Sequence, residues 1–383
     1  MPSYADIIKK KKRDWDCADL MDGAKRARGA KLPFSSPCMN FATYGGIPRN
    51  QITEFFGNPG GGKSTTAVDI CKNAANIFKQ EYEDDLQKLI DSRASGGKAI
   101  DAAISDLQER GPKKVLYLDL EHSFDGAWAE TLGIEEGSID IMQPPNVVAE
   151  DILTTVHELI ETNELGLVVL DSIPSLVTRQ ELEKAYGDRT VASLAGLLTV
   201  FFRKIVPVLT RYNTTLLIIN QIRDNMDNPY VVNTPGGKAL KFYCSLRINF
   251  TIGSPVDFAG NEIPTNSENP AGYKIKARLA KQKSAPWDRK EATYYLMAQS
   301  GIRADMDITL LAINNYGYIA KSGGWFMLSD PETGEALVDD AGKPMKLHGL
   351  PSVVEYVRDH PEYFKKLSDA ILSDMKVNPN ADS

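Results

Sequence analysis

Short, almost wholly apolar and β-rich runs recur along the chain: Gln51 to Phe56, Val115 to Leu120, Leu167 to Asp171, Thr214 to Asn220 and Cys244 to Ile252. Between them the apolar positions repeat at helical spacing instead. In Ser64 to Phe78, the residues Ala67, Cys71, Ala74, Ile77 and Phe78 fall on one side, and Ala149 to Thr162 and Val191 to Tyr212 read the same way. Strands that do not alternate with polar residues are buried on both faces, so the pattern predicts an α/β fold with a mostly parallel central sheet. Ligands of such sheets collect at the carboxyl ends of the strands. Two later stretches behave differently. From Tyr273 onward, Lys274, Lys276 and Arg278 alternate with Ile275, Ala277 and Leu279, as on a strand with one polar face. The alternation slips at Ala280, before Lys281 and Lys283, and such a slip re-aims side chains. His348 to Met375 reads as helical, with Val353, Val354, Val357, Phe364, Leu367 and Ile371 as its apolar positions.

Between the first predicted strand and the first predicted helix lies Gly57-Asn58-Pro59-Gly60-Gly61-Gly62-Lys63-Ser64, which fits the phosphate-loop pattern G-x-x-x-x-G-K-[ST] at every fixed position. Gly57, Gly60, Gly61 and Gly62 let successive backbone N–H groups close around phosphates, and the following helix N-terminus adds partial positive charge. Lys63 is expected to reach the terminal phosphates, Ser64 to hold Mg²⁺, and Thr65 to complete the nucleotide-binding set. ATP and Mg²⁺ are the cofactors this predicts.

The strand ends supply further candidates. Val168-Val169-Leu170 ends in Asp171, the usual second half of a phosphate-loop site, expected to position Mg²⁺. Leu118-Asp119-Leu120 leads to Glu121, a carboxylate able to activate the attacking water. His122 reads as structural. Asp125 and Trp128 lie just beyond, and Trp128 is open to two readings, a flat face for a purine or a core-packing tryptophan. Gln221 follows Thr214 to Asn220 on a strand expected beside the Asp171 strand, and its amide is suited to sensing the γ-phosphate. After it, Asp224 to Gly237 is rich in Asp, Asn, Pro and Gly and reads as a loop.

Composition adds limits. At 383 residues, with 42% hydrophobic and 25% charged residues, the chain has room for one large domain plus smaller attachments. No apolar run is long enough to span a bilayer, and the lysine-rich N-terminus lacks the apolar block of a secretion signal, so a cytoplasmic-type setting without a membrane is expected. Cys17, Cys38, Cys71 and Cys244 are too scattered for a metal site or a disulfide framework and read as buried thiols. The net charge of −7 argues against nucleic acid only if it is uniform. Tyr273 to Lys290 carries seven basic residues against the single acid Asp288, and Lys9 to Arg13 with Lys25, Arg26 and Arg28 forms a second basic cluster. Such patches suit phosphate backbones, although charge alone favours a plainly solvated face.

The order and spacing of these passages resemble the RecA-type homologous recombination family, in its bacterial or bacteriophage branch, from about Leu32 to about Leu372. The resemblance is carried by Gly45-Gly46-Ile47-Pro48, the phosphate loop, Asp119-Leu120-Glu121-His122, Leu170-Asp171-Ser172, Asn220-Gln221-Ile222-Arg223, Gly236-Gly237-Lys238-Ala239-Leu240-Lys241-Phe242-Tyr243 and Lys281-Gln282-Lys283-Ser284-Ala285-Pro286. It implies a RecA-like P-loop ATPase core over residues 33–322, preceded by an N-terminal helix and arm for subunit contact (1–32) and followed by a small C-terminal α+β domain (323–383). The activity it implies is a DNA-dependent ATPase that forms a helical homo-oligomeric filament on single-stranded DNA, pairs with homologous double-stranded DNA and exchanges strands. A loader or single-strand-binding protein would be a further partner, and the setting a bacterial or phage-infected cell.

Residue by residue, the resemblance makes Glu121 the catalytic base, Asp171 the magnesium-associated aspartate, Gln221 the γ-phosphate sensor, and Asp125 and Trp128 the adenine contacts. Lys281 and Lys283 match a pair that reaches the neighbouring subunit's ATP, and Phe242 matches an interface aromatic. DNA contacts fall on a first loop, about Glu183 to Val191 with Arg189, on Arg203 of the next helix, and on a second loop from Arg223 to Gly236 and Gly237, with Lys238 after it. The chain also departs from the family. Gln80 to Gly111 is much longer than the usual link and is expected to form an extra helical hairpin. Gly196 stands where an arginine is common, and the second loop lacks the threonine run before its glycines. Two other functions fit the same core: a ring helicase or translocase, whose usual priming-factor domain is not seen, and a DNA-binding filament that ATP only switches.

Overall fold

The computed structural model describes residues 30–146, 148–183, 193–222, 234–283, 285–286, 288–339 and 341–375. The basic clusters before Ala30, Cys17, the first loop with Arg189, and the second loop from Arg223 to 233 lie outside the described residues.

In chain order the elements are β1 (Lys31–Leu32), α1 (Pro37–Thr43), β2 (Ile47–Pro48), β3 (Ile52–Gly57), α2 (Lys63–Asp91), α3 (Arg93–Arg110), β4 (Lys114–Asp119), α4 (Gly126–Thr131), β5 (Asp140–Met142), α5 (Ala149–Glu161), β6 (Leu165–Asp171), α6 (Arg179–Leu182), α7 (Ser193–Tyr212), β7 (Thr215–Gln221), α8 (Gly237–Tyr243), β8 (Leu246–Val256), β9 (Gly272–Gln282), β10 (Glu291–Met297), β11 (Gly301–Ile302), α9 (Ala304–Leu311), β12 (Ile319–Ser322), β13 (Trp325–Leu328), β14 (Lys346–His348), α10 (Leu350–Asp359) and α11 (Pro361–Met375). The central sheet has nine strands in the order β11-β10-β9-β8-β3-β7-β6-β4-β5. The six strands from β8 to β5 run parallel, and β9, β10 and β11 form an antiparallel wing.

The inner parallel strands β3, β4, β6 and β7 are buried on both faces, as their apolar sequences require, whereas the short edge strand β5 is exposed. Val115, Tyr117, Leu167, Val169, Leu217 and Ile219 pack toward the α2 side. Leu116, Leu118, Val168, Leu170, Leu216 and Ile218 pack toward α5, α7 and α8. Residues that alternate along one strand thus serve two cores, and the sheet is covered by helices on both faces.

Two elements differ from the sequence expectation. The phosphate-loop helix does not stop near Phe78 but continues to Asp91, 29 residues in all. Its first half is anchored by Ala67, Ile70, Cys71, Ala74 and Phe78, all buried, whereas after Phe78 no position is fully buried. The insertion is a helical hairpin, as expected, but its first arm is this same helix prolonged, and α3 returns with a break at Gly97. The carboxy-terminal helix is likewise not continuous from His348 to Met375. His348 belongs to a small three-stranded sheet, β12-β13-β14, and Pro361, which cannot donate a backbone hydrogen bond, starts a separate helix.

The slip at Ala280 is a β-bulge. Arg247 pairs with Lys281 and the next residue, Ile248, pairs with Leu279, which leaves Ala280 extra. Beyond it Ile275, Ala277 and Leu279 face the core while Lys276 and Arg278 face solvent. Cys38, Cys71 and Cys244 are buried free thiols.

Candidate functional site

The phosphate loop joins β3 to α2, and its glycines have steric reasons. Gly57 has φ +152°, and a Cβ there would sit 2.1 Å from the Phe250 carbonyl oxygen on β8. Gly62 caps α2 with φ +80° and offers no side-chain hydrogen bond. The first amide groups of a long helix are therefore left for an external acceptor, which is the arrangement that binds anions. The Lys63 ammonium is folded back onto the Asn58 carbonyl oxygen at 2.8 Å, and burial lowers its pKa while Asp171 and Glu121 act to raise it. These residues fit a Mg²⁺–nucleotide. Among the described residues no group of three or more His, Cys, Asp or Glu forms a metal cage, whereas Mg²⁺ needs only one or two protein ligands beside phosphate oxygens.

Asp171, at the end of β6, is almost completely buried, and burial raises its pKa against hydrogen bonds from Tyr117 and Ser64. The Tyr117 hydroxyl donates to Asp171 Oδ2 at 2.5 Å, and Ser64 is the helix residue expected to hold the metal, so the two predicted metal residues meet. The sequence reading missed Tyr117. Its signal was a phenol within an otherwise aliphatic buried strand, two residues before Asp119, which itself pairs with Asp171.

Glu121 leaves the end of β4 through a tight turn. Asp119 holds that turn, accepting from Gln143 Nε2 and from the backbone amides of Glu121 and Phe124. Burial alone would raise the Asp119 pKa, and these hydrogen bonds outweigh it, keeping the carboxyl below its usual range. His122, at φ +54°, completes the turn and bonds the Pro144 carbonyl through Nε2. The exposed Glu121 carboxylate is thereby brought to Gln221 and Ser172: Gln221 Nε2 donates to Oε1 at 2.9 Å and the Ser172 hydroxyl donates to the same oxygen. Ser172 follows Asp171 through a cis peptide bond and was not singled out from sequence.

Asp125 caps α4 by accepting from the Trp128 amide at 3.0 Å. Trp128 is half-buried against the core, and its Nε1 lies 3.4 Å from Thr65 Oγ1. Part of the ring is thus packed inward, and its polar edge lies beside the phosphate-loop helix.

The other candidates do not join this cluster. Lys281 is level with Arg247, which is level with Glu54, and Lys283 bonds Ser245, which bonds Ile52. At about 3.3 Å per residue, Lys283 is offset about 17 Å from Gly57 along the strand direction, toward the amino ends of the strands. Its ammonium and that of Lys281 bond the last carbonyls of α8: Lys281 to Lys241 O (2.5 Å) and Phe242 O (2.9 Å), Lys283 to Phe242 O (3.1 Å). Cations at a helix carboxyl end are favourably placed. Burial and the neighbouring Lys283 both lower the Lys281 pKa. Phe242 itself is 70% exposed.

At the other end of α8, Gly236 (φ +92°) and Gly237 (φ +70°) press on α7, where a Cβ would meet Leu198 at 3.0 Å and Ala195 at 3.1 Å. The roots of both expected DNA loops are thus packed together, with Arg203 and Lys238 exposed on the two helices.

The sequence model of the RecA N-terminal domain family matches residues 88–303. Three proteins named Protein RecA show how far the similarity extends. That of Thermus aquaticus is 29% identical over 331 residues, covering 86% of this chain and 80% of its own. That of Aquifex aeolicus is 29% identical over 345 residues, covering 89% and 82%. That of Rhodopirellula baltica is 30% identical over 325 residues, covering 82% and 74%. The family match begins inside the hairpin, but an alignment covering 89% of the chain leaves too few residues outside it to omit the phosphate loop. With more than half of its length matched by that domain, and with the similarity running through most of each relative, this chain belongs to the RecA family of homologous recombination proteins.

Proposed function

We propose that this RecA-family chain is an ATP-dependent recombinase that assembles head to tail on single-stranded DNA, pairs it with homologous duplex and exchanges strands. The observation that carries this reading is the division of the candidate residues. Lys63, Ser64, Glu121, Asp171 and Gln221 sit at the carboxyl ends of the strands, and Lys281 and Lys283 sit at the other end, out of reach of the same chain's phosphate loop. One copy's lysine end docked on the next copy's phosphate-loop end completes a site at every junction, and an interface of that kind builds a filament or a ring.

In such a site the uncapped amides of α2 and the Lys63 ammonium hold the β- and γ-phosphates. Mg²⁺, when bound, neutralises charge on the phosphate oxygens; Ser64 and Asp171 are the residues that would hold it. Glu121 accepts a proton from water as that water's oxygen bonds the γ-phosphorus and the bridging P–O bond breaks, leaving ADP and phosphate. Gln221 and Ser172, which both bond the base, orient it. Trp128 and Asp125 flank the base of the nucleotide. The lysine pair from the neighbour stabilises charge in the transition state, so hydrolysis requires assembly. No described helix is long and apolar enough to cross a membrane.

The test is strand exchange between homologous single-stranded and duplex DNA with purified protein, ATP and Mg²⁺, beside a heterologous duplex. Exchange confined to the homologous pair is the expected outcome. ATP-dependent unwinding of a forked duplex without exchange would replace this reading with a helicase.

A further inference from the structure

Beneath the nucleotide end, where β3 is flanked by β7 and β8, a charged cluster is sealed into the sheet. Glu54 is fully buried and both of its carboxylate oxygens are used: Oε1 accepts from Asn220 Nδ2 at 2.9 Å, and Oε2 accepts from Arg247 Nε. The Arg247 guanidinium lies 4.6 Å from the centre of the Phe56 ring, the residue before Gly57. Asn220 is also fully buried and every polar atom of its side chain is engaged. Its Nδ2 also donates to the Pro235 carbonyl at 3.0 Å, and its Oδ1 accepts the Gln221 backbone N–H at 2.9 Å.

The surroundings do not explain this cluster as a stabilising device. Ile218, Ile248 and Leu216 nearby are apolar and fully buried, and a buried ion pair often does no better than well-packed apolar residues. A fully satisfied buried network does something else: it fixes one relative placement of the groups it touches. Here those groups are Gln221, which bonds Glu121, and Pro235, at the root of the second loop, with Arg247 reaching back to the phosphate-loop strand and standing level with Lys281.

We propose that Asn220 is a positioning residue, anchored by Glu54 and Arg247, that couples the γ-phosphate contact of Gln221 to the second DNA loop through its simultaneous bonds to the Gln221 amide and the Pro235 carbonyl. Any displacement of Gln221 toward a phosphate is shared by the loop root, because one rigid side chain holds both. This rests on the reading of Gln221 as sensor and of the loop as a DNA contact. Asn220 touches neither nucleotide nor DNA and acts only through its neighbours.

The test measures the affinity for a fluorescent oligo-thymidine strand with a non-hydrolysable ATP analogue and with ADP, alongside binding of a fluorescent nucleotide. The wild-type protein is expected to bind the strand about tenfold or more tightly with the analogue, within the usual range of coupling. Asn220→Ala is expected to keep nucleotide binding within about threefold while the ratio of strand affinities falls to near one. Because that variant strips a donor from a buried carboxylate, the triple variant Glu54→Leu, Arg247→Met, Asn220→Leu removes the whole network without stranding a charge, and the same loss of coupling is expected. A wild-type ratio above ten that persists in either folded variant overturns the inference alone. A wild-type ratio of one overturns the ATP-switched reading of the chain and the inference with it.

Discussion

At the carboxyl ends of β3, β4, β6 and β7 the polar side chains are turned toward one another: Tyr117 to Asp171, and Gln221 and Ser172 to Glu121. At the amino end of β8 the two lysine ammoniums bond the last carbonyls of α8, among them that of Phe242, whose ring is left largely in solvent. The first end is an acidic, partly buried pocket short of positive charge; the second is a cationic, aromatic-tipped edge. On the proposed function, the contrast means that one copy would supply the base and the phosphate cradle, and a second copy the cations that face them.

The most severe test of this division mixes two dead proteins. Lys63→Ala is expected to lower ATP hydrolysis and ATP-dependent DNA binding by about a hundredfold or more, since a phosphate-bound cation is lost. Lys283→Ala is expected to be similarly inactive on its own. In an equal mixture, junctions that pair an intact phosphate loop with an intact lysine edge recover, and with random assembly about a quarter of the wild-type DNA-stimulated rate returns. A mixture as inactive as its parts would mean that the lysines do not act across a junction.

Within the first end, Glu121→Gln keeps a side chain of the same shape but removes its basicity. Hydrolysis is expected to slow by about a hundredfold to ten-thousandfold, while filaments on single-stranded DNA still form with ATP and persist longer. Normal turnover in a steady-state ATPase assay would remove Glu121 from the role of base.

Much of this first end was legible in the chain because its chemistry is local. Apolar runs fix buried strands, and a carboxylate or amide at the end of such a run has to emerge at one edge of the sheet. Asp171, Glu121 and Gln221 follow that logic. The Ala280 bulge was legible for a similar reason, since a broken alternation has few other meanings. Tyr117, Ser172 and Asn220 were not. Their roles depend on which strand lies beside which, and a phenol or an amide inside an apolar run reads as packing until the β4-β6-β7-β3 order places its partner. The length of α2 was missed because helical periodicity continues past Phe78 while the apolar core it packs on ends there.

A finer probe of the same end is Tyr117→Phe, which removes only the hydroxyl that holds Asp171 Oδ2. The aromatic contact with Phe124, at 5.1 Å between ring centres, is kept, so the fold should lose only about 1 kcal/mol of stability. The Mg²⁺ concentration for half-maximal nucleotide binding is expected to rise about tenfold, as for other partners that orient a metal-binding carboxylate. Nucleotide binding without Mg²⁺ should not change. An unaltered Mg²⁺ requirement would make the Tyr117 bond a packing detail.

The smallest effect concerns the helix between the two loops. Gly196 sits exposed in the first turn of α7, one residue after Ala195, against which Gly237 packs, and a Cβ built on it meets nothing within 4 Å. Gly196→Arg therefore costs no packing. It gains about 0.8 kcal/mol in helix propensity and returns a few tenths for placing a cation near a helix N-terminus. The added charge stands beside the roots of both loops, so single-strand affinity should rise a few-fold and the salt dependence of binding should steepen by about one counterion. The same substitution should leave Mg²⁺ dependence and the recovery of mixed variants untouched, because it lies on neither the phosphate-loop end nor the lysine edge. If Gly196→Arg leaves both the affinity and its salt slope as they were, the face of α7 next to Gly237 does not meet DNA, and the second loop must approach the strand from the other side of α8.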